Sequence, residues 1–186
     1  MQKAFYPLLV FILATLLYVP PLRDLPFSSR GEAREALVVQ AMVEQQNLIL
    51  PRRNGETIPS KPPFFHWAAL TGVALTGTGA ATESGSEFGV RLPSAIAGAW
   101  ALAILFAFAA PRLGVKGAAF AAVVLGTSVE WARSASIARV DMMFALWVMS
   151  GTLALFTLID DYLRTSTISW KQILLVALLL TFATLT

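Results

Sequence analysis

The sequence contains no cysteine and a single histidine among its 186 residues. A disulfide framework, a thiolate metal site, a cysteine nucleophile and a histidine-rich metal cage are therefore excluded. Charge is also scarce: 13% of residues are Asp, Glu, Lys or Arg, 56% are hydrophobic, and the mean hydropathy is +0.68. A chain with that balance reads as a membrane protein rather than a soluble domain. The formal charge of +3 lies between apolar runs and not on a soluble basic face, which argues against nucleic acid as a partner. Internal repeats and a phosphate-cradling glycine motif are both missing, and there is no room for a nucleotide-binding domain.

What the chain does have is long uncharged runs. Residues 4–22 carry no charge and suffice, as a helix, to cross roughly 30 Å of hydrocarbon. A cleaved signal peptide is the competing reading, but Tyr18, Val19, Pro20 and Pro21 offer no small-x-small cleavage site. Further spans are expected over 92–111, 117–135 and 141–159. A fifth, 172–186, stops short of the ~17 residues a spanning helix needs, so the chain is expected to be the N-terminal part of one larger transmembrane domain. The expected fold is all-α and polytopic, with about five transmembrane helices and a long external first loop over 23–91.

Loops longer than about 60 residues cross the membrane largely regardless of their charge. With 23–91 set aside, Lys3, Arg112, Lys116, Arg164 and Lys171 fall on one side and Arg133 and Arg139 on the other. That favours a cytoplasmic N-terminus. It also places Arg23, Arg30, Arg34, Arg52, Arg53, Lys61 and Arg91 outside, where an anionic ligand or anionic lipid headgroups account for them.

Within the external loop, Ala36, Val39 and Val43 recur at helical spacing after Ser28 and Ser29, predicting an amphipathic helix on the membrane surface. Glu32 and Glu35 at its start suit the positive end of the helix dipole. Asn54 and Gly55 predict a small hairpin over 49–60. Pro62 and Pro63 then open a second surface helix whose Phe64, Phe65, Trp67 and Leu70 form an interface-seeking face. Residues 77–89 read as loop. His66, beside Trp67, reads as a polar rim residue more readily than as a ligand or base. Asp141 opens an apolar span, where a carboxylate is costly unless solvated or paired, and Arg139 and Arg133 are its candidate partners. Glu130 and Arg133, at i and i+3, suit each other.

Four short motifs occur in order: Gly31-Glu32-Ala33-Arg34, Leu50-Pro51-Arg52-Arg53-Asn54-Gly55-Glu56, Lys61-Pro62-Pro63 with Trp67, and Arg91-Leu92-Pro93-Ser94. Together they resemble the lipid-dependent membrane glycosyltransferases of the GT-C type, in particular the bacterial aminoarabinose lipid A transferase and protein O-mannosyltransferase-like branch. The resemblance covers nearly the whole chain. It implies a bacterial inner-membrane enzyme with an external active site, and a catalytic aspartate where this chain has Gly31. Either the adjacent Glu32 carries that role or the carboxylate is missing. A second family carboxylate matches Asp141, and the arginine of the first motif matches Arg34. The family's glutamate-lysine-proline element stands here as Ser60-Lys61-Pro62, so the lysine is kept while the acid is not; a divalent metal bound through that acid loses a ligand.

No nucleotide sugar is available outside an inner membrane, so the donor implied is a polyprenyl-phosphate sugar, and the acceptor a lipid of the lipid A kind, a protein or a glycolipid. As the glycosidic bond breaks, the phosphate charge grows from about −1 towards −2, and fixed cations gain most in the transition state. Arg34, Lys61, Arg52 and Arg53 are the candidates for that contact, Glu32 and Asp141 for the catalytic carboxylate, and Phe64 and Trp67 for the edge of the lipid entrance. Membrane lipids are the remaining partners. Two other readings stay open: a non-catalytic lipid-binding relative, and a transporter or channel subunit, which calls for broken or charged span centres.

Overall fold

The computed structural model describes residues 2–24, 26–50, 52, 61–76 and 86–186. Its elements are α1 (Gln2–Tyr18), a 3-10 turn (Pro20–Asp24), α2 (Arg30–Glu44), α3 (Phe64–Thr76), α4 (Ser86–Gly126), α5 (Val129–Ala135), α6 (Val140–Thr165) and α7 (Trp170–Thr184), with no strand among the described residues. Most of the expected hairpin, including Arg53 and Ser60, and most of the 77–89 loop lie outside the described residues.

Apolar runs take the helical form because hydrocarbon offers the backbone no other partners, and their outward leucines, such as Leu8, Leu13, Leu16 and Leu17 on α1, stay exposed where lipid would cover them. The prolines at 20 and 21 end α1, since the residue before a proline is pushed out of the helical region. Ser29 starts α2 by accepting the Glu32 N–H at 3.3 Å.

α4 is a helical hairpin rather than one rod. Gly114 has φ 73° and ψ 167°, a backbone region open essentially to glycine. Beyond it the chain returns alongside itself: a Cβ on Gly126 would lie 2.7 Å from Leu102 Cδ1, although in a straight helix two residues so separated lie roughly 36 Å apart. The turn expected at 112–116 is present. The expected span over 117–135 is not continuous, however, because helix stops at Gly126 and restarts as α5. Tyr18 Oη donates to the Gly126 carbonyl at 2.7 Å, taking the acceptor that the next helical turn would have used. Among the described residues, three helical stretches are long and apolar enough to cross a membrane, Phe5–Arg23, Glu87–Gly126 and Val140–Thr165, and the shorter α3 and α7 are apolar as well.

The core that joins these helices is built from small residues, with Ala95, Ala99, Ala101, Ala118 and Ala135 fully buried. Without a hydrophobic drive between helices in lipid, such residues let backbones approach closely enough for dispersion to hold them. The tightest approach joins α3 to α4, where a Cβ on Gly72 would collide with the Gly89 carbonyl. α3 is therefore docked into the bundle, with Phe65, Ala69 and Val73 buried, and is not a free surface helix.

The bundle has two unlike ends. At one, Arg112 on the α4 turn lies over the Phe108 ring at 3.9 Å and 4.0 Å from Asp160, near the end of α6. At the other, α2, the start of α4, α5 and the start of α6 gather, bringing together Glu32 with Arg91 and Arg139 with Asp141.

Candidate functional site

Two of the three carboxylates on α2 leave it in different directions and are buried, Glu32 wholly and Glu35 to 2% exposure, while Glu44 at its end is exposed. Glu32 Oε1 accepts from Arg91 Nε at 2.8 Å and from the Ala138 N–H at 3.0 Å. Its Oε2 accepts from the Ser28 N–H at 3.0 Å and Ser28 Oγ at 3.1 Å. Arg91 also donates to the Pro26 carbonyl at 2.8 Å and lies over the Phe27 ring. Burial pushes the Glu32 carboxyl up, but Arg91 and the two backbone donors outweigh it and hold the group below its usual value. Four donors use up what an ionised carboxylate can accept. Glu32 thus ties α2 to α4 and to the approach of α6, with its acceptor sites held by protein donors, and it does more than the helix-dipole role its position suggests.

Glu35 gathers the cations. Its Oε1 lies 3.0 Å from Arg34 Nη2 and 3.3 Å from Lys61 Nζ, and its Oε2 lies 2.8 Å from His66 Nε2. Burial opposes the charge, yet the bonds from His66 and Arg34, followed by the charge of Lys61, bring its pKa down to about 2. The cations are the open part of this cluster: the side chains of Arg34 and Lys61 are 44% and 24% exposed against 3% for Glu35. His66 is 1% exposed, so it is a buried partner of Glu35 and not the rim residue its neighbour Trp67 suggested.

Asp141 sits apart, half exposed, 3.1 Å from Arg139 Nε. The distance is that of an ion pair, but the N–H is not aimed at the carboxylate, and Arg139 Nε makes no hydrogen bond. A cleft of about 320 Å³ between α5 and α6 opens beside Asp141, lined also by Ser128, Glu130, Trp131 and Ser134. Glu130 pairs with Arg133 as expected. Arg139 also faces Gly31, where a Cβ would meet its Nε at 3.7 Å. The α6 carboxylate and the position lacking an acid therefore share one arginine. A separate groove of about 330 Å³ between α1 and α4, lined by Leu13, Leu17, Leu102 and Phe106 among others, has no carboxylate or cation in its wall.

Of the expected phosphate-binding residues, Arg34 and Lys61 come together. Arg52 is exposed, and its backbone is held by Gln45 at 2.6 and 2.9 Å. Phe64 packs against the Phe182 and Trp147 rings at 5.4 and 5.9 Å, while Trp67 remains 39% exposed and donates from Nε1 to the Leu48 carbonyl at 2.7 Å. Glu35 and His66 were not singled out as site residues, and their signals were the only histidine in the chain and an acid beside the motif arginine, one helical turn from Gly31. As for a divalent metal, no group of three or more His, Cys, Asp or Glu side chains assembles among the described residues. The Glu35–His66 pair does not fit one either, since Lys61 and Arg34 already hold the Glu35 carboxylate.

A bundle of membrane-crossing helices with buried Glu32 and Glu35 and their cations at one end defines an all-α polytopic membrane protein. No family model matches the chain. It is 27% identical over 143 residues to the undecaprenyl phosphate-alpha-4-amino-4-deoxy-L-arabinose arabinosyl transferase of Pseudomonas savastanoi pv. phaseolicola (strain 1448A / Race 6), covering 76% of this chain and 26% of that protein. Among solved structures it matches ArnT from Cupriavidus metallidurans bound to undecaprenyl phosphate, with a TM-score of 0.68 and 23% identity over 80% of this chain and 26% of that one. The chain spans about a quarter of the length of either protein and has the fold of part of ArnT. Both comparisons agree with the resemblance carried by the four motifs.

Proposed function

We propose that this chain is the donor-binding part of an integral membrane glycosyltransferase, one that moves a hexose or pentose from a polyprenyl-phosphate carrier to an acceptor at the external face of a bacterial inner membrane. The observation that carries the reading is the convergence of Arg34 and Lys61, from separate segments, at the charged end of a membrane bundle. Both cations keep N–H donors beyond those spent on Glu35, and both are partly open. A phosphodiester leaving as a phosphate monoester gains about one negative charge, which these donors stabilise more in the transition state than in the ground state.

Asp141 is the carboxylate with room around it. For a hydroxyl acceptor on a protein or glycolipid it takes the proton as oxygen attacks the anomeric carbon, a contribution worth roughly 10²–10⁴-fold. For an ionised phosphate on a lipid A-like acceptor no base is required, and Asp141 steadies the developing positive charge on the sugar. The relatives support undecaprenyl phosphate as the carrier, one being named for a transferase that uses it and the other bound to it.

Gly31 favours a second reading, a lipid-binding relative without transferase activity, because the first-motif acid is absent there. The test is to supply membranes containing the intact protein with a panel of labelled undecaprenyl-phosphate sugars and follow label into lipid and protein fractions. Transfer is expected. Binding of the carrier with no transfer from any sugar in the panel points to the second reading, and neither binding nor transfer overturns both.

A further inference from the structure

We infer that Glu35, backed by His66, is the positioning residue of the donor-phosphate clamp. It sets Arg34 and Lys61 one phosphate group apart without itself touching the donor. The inference rests on the transferase reading and adds to it a residue that the motifs do not assign.

Contacts of 3.0 and 3.3 Å to the same Glu35 oxygen hold Arg34 Nη2 and Lys61 Nζ within 6.3 Å of each other. A phosphate whose two oxygens each accept a hydrogen bond of roughly 2.8 Å can be gripped by two cations within that distance of each other. The two cations come from different segments, one in α2 and one ahead of α3, and like charges at that separation repel unless something between them is negative. Glu35 supplies that negative group, and its burial keeps it behind the cations instead of beside the ligand.

His66 fixes the second oxygen. Its Nδ1 is buried and has no hydrogen-bond partner, so a proton there would be stranded. The bonding pattern therefore assigns the ring proton to Nε2, donated to Glu35 at 2.8 Å. With a neutral imidazole the cluster of Glu35, Arg34 and Lys61 carries a net charge of about +1, the complement of a phosphodiester. The ion pairs nearby bring no net charge to it: Arg91 is bound to Glu32, Asp141 lies against Arg139 and Glu130 against Arg133.

The sign of one measurement separates positioning from a merely structural ion pair. Undecaprenyl phosphate binding is measured on the intact protein in nanodiscs for wild type, Glu35→Gln, Lys61→Ala and the double variant. If Glu35 only neutralises charge, Glu35→Gln leaves the site more positive and binds the phosphate more tightly. Positioning predicts binding at least 10-fold weaker, and little further loss on adding Lys61→Ala, because the lysine is already misplaced. Equal or tighter binding by Glu35→Gln overturns the inference and leaves the transferase reading standing. Failure of the wild type to bind overturns that reading and this inference with it. Should Glu35→Gln not fold, His66→Gln keeps every charge and releases only the backing bond. It is expected to weaken binding about 3-fold, and unchanged binding overturns the inference.

Discussion

Replacing Glu32 by Gln distinguishes a structural carboxylate from a catalytic one in a single comparison. The change keeps shape and takes from the Arg91 guanidinium, which is 1% exposed, the ionised oxygen that accepts its Nε–H at 2.8 Å. Arg91 would retain its bond to the Pro26 carbonyl and its place over Phe27, but removing one partner of a buried ion pair typically costs about 3–5 kcal/mol. For a domain of roughly this size that corresponds to a fall of about 6–20 °C in Tm. The Ala138 and Ser28 donors keep an acceptor in the Gln carbonyl only in part, since one amide oxygen replaces two carboxylate oxygens. The assay is thermal unfolding of the purified protein in detergent, followed by tryptophan fluorescence and run beside transfer activity at a temperature where both proteins are folded. The expected result is a large loss of Tm with transfer per folded molecule within a few-fold of wild type. A Tm within about 2 °C of wild type together with a 100-fold loss of transfer would refute the reasoning and return Glu32 to the chemistry.

Three further outcomes follow from the same geometry. Glu35 has a folded pKa of about 2 against an ordinary 4.5, so its stabilisation is complete above pH 4.5 and is lost as the pH falls towards 2; the loss is about 3 kcal/mol, seen as a falling Tm in an acid titration that Glu35→Gln flattens. Gly72→Ala drives a methyl into the Gly89 carbonyl and should cost about 1–3 kcal/mol by forcing α3 from α4, measured by the same unfolding assay. Asp141→Asn removes a half-exposed ion pair and should leave stability within about 1 kcal/mol, while transfer to a hydroxyl acceptor falls by roughly 10²-fold or more, measured as kcat with each acceptor class.

Local features of the fold were readable because local chemistry sets them. The uncharged runs mark α1, the first limb of α4 and α6; Gly114 marks the reversal, and Ser29 the start of α2. The break at Gly126 was not readable, because it depends on the Tyr18 hydroxyl arriving from 108 residues away. At the site, the charge types of Arg34 and Lys61 pointed to a phosphate. The partners of the two glutamates did not follow from their positions. Both stand early in α2, where the dipole accounts for an acid without reference to anything else, and only packing separates Glu32, bound to Arg91 from α4, from Glu35, bound to His66 from α3. His66 was read as peripheral because α3 was read as a surface helix. The close approach of Gly72 to Gly89 that buries it joins two different helices, which no local pattern on either one announces.

The central claim is that Lys61, held with Arg34 on Glu35, meets the phosphate of a lipid-linked donor. Its most direct test is transfer from a labelled undecaprenyl-phosphate sugar by wild type and Lys61→Ala, with Tm measured on both. Lys61 is partly exposed, so removing its amine should shift Tm by only a few degrees while transfer falls by 100-fold or more. Transfer by Lys61→Ala at the wild-type rate, in a protein equally folded, would contradict the account.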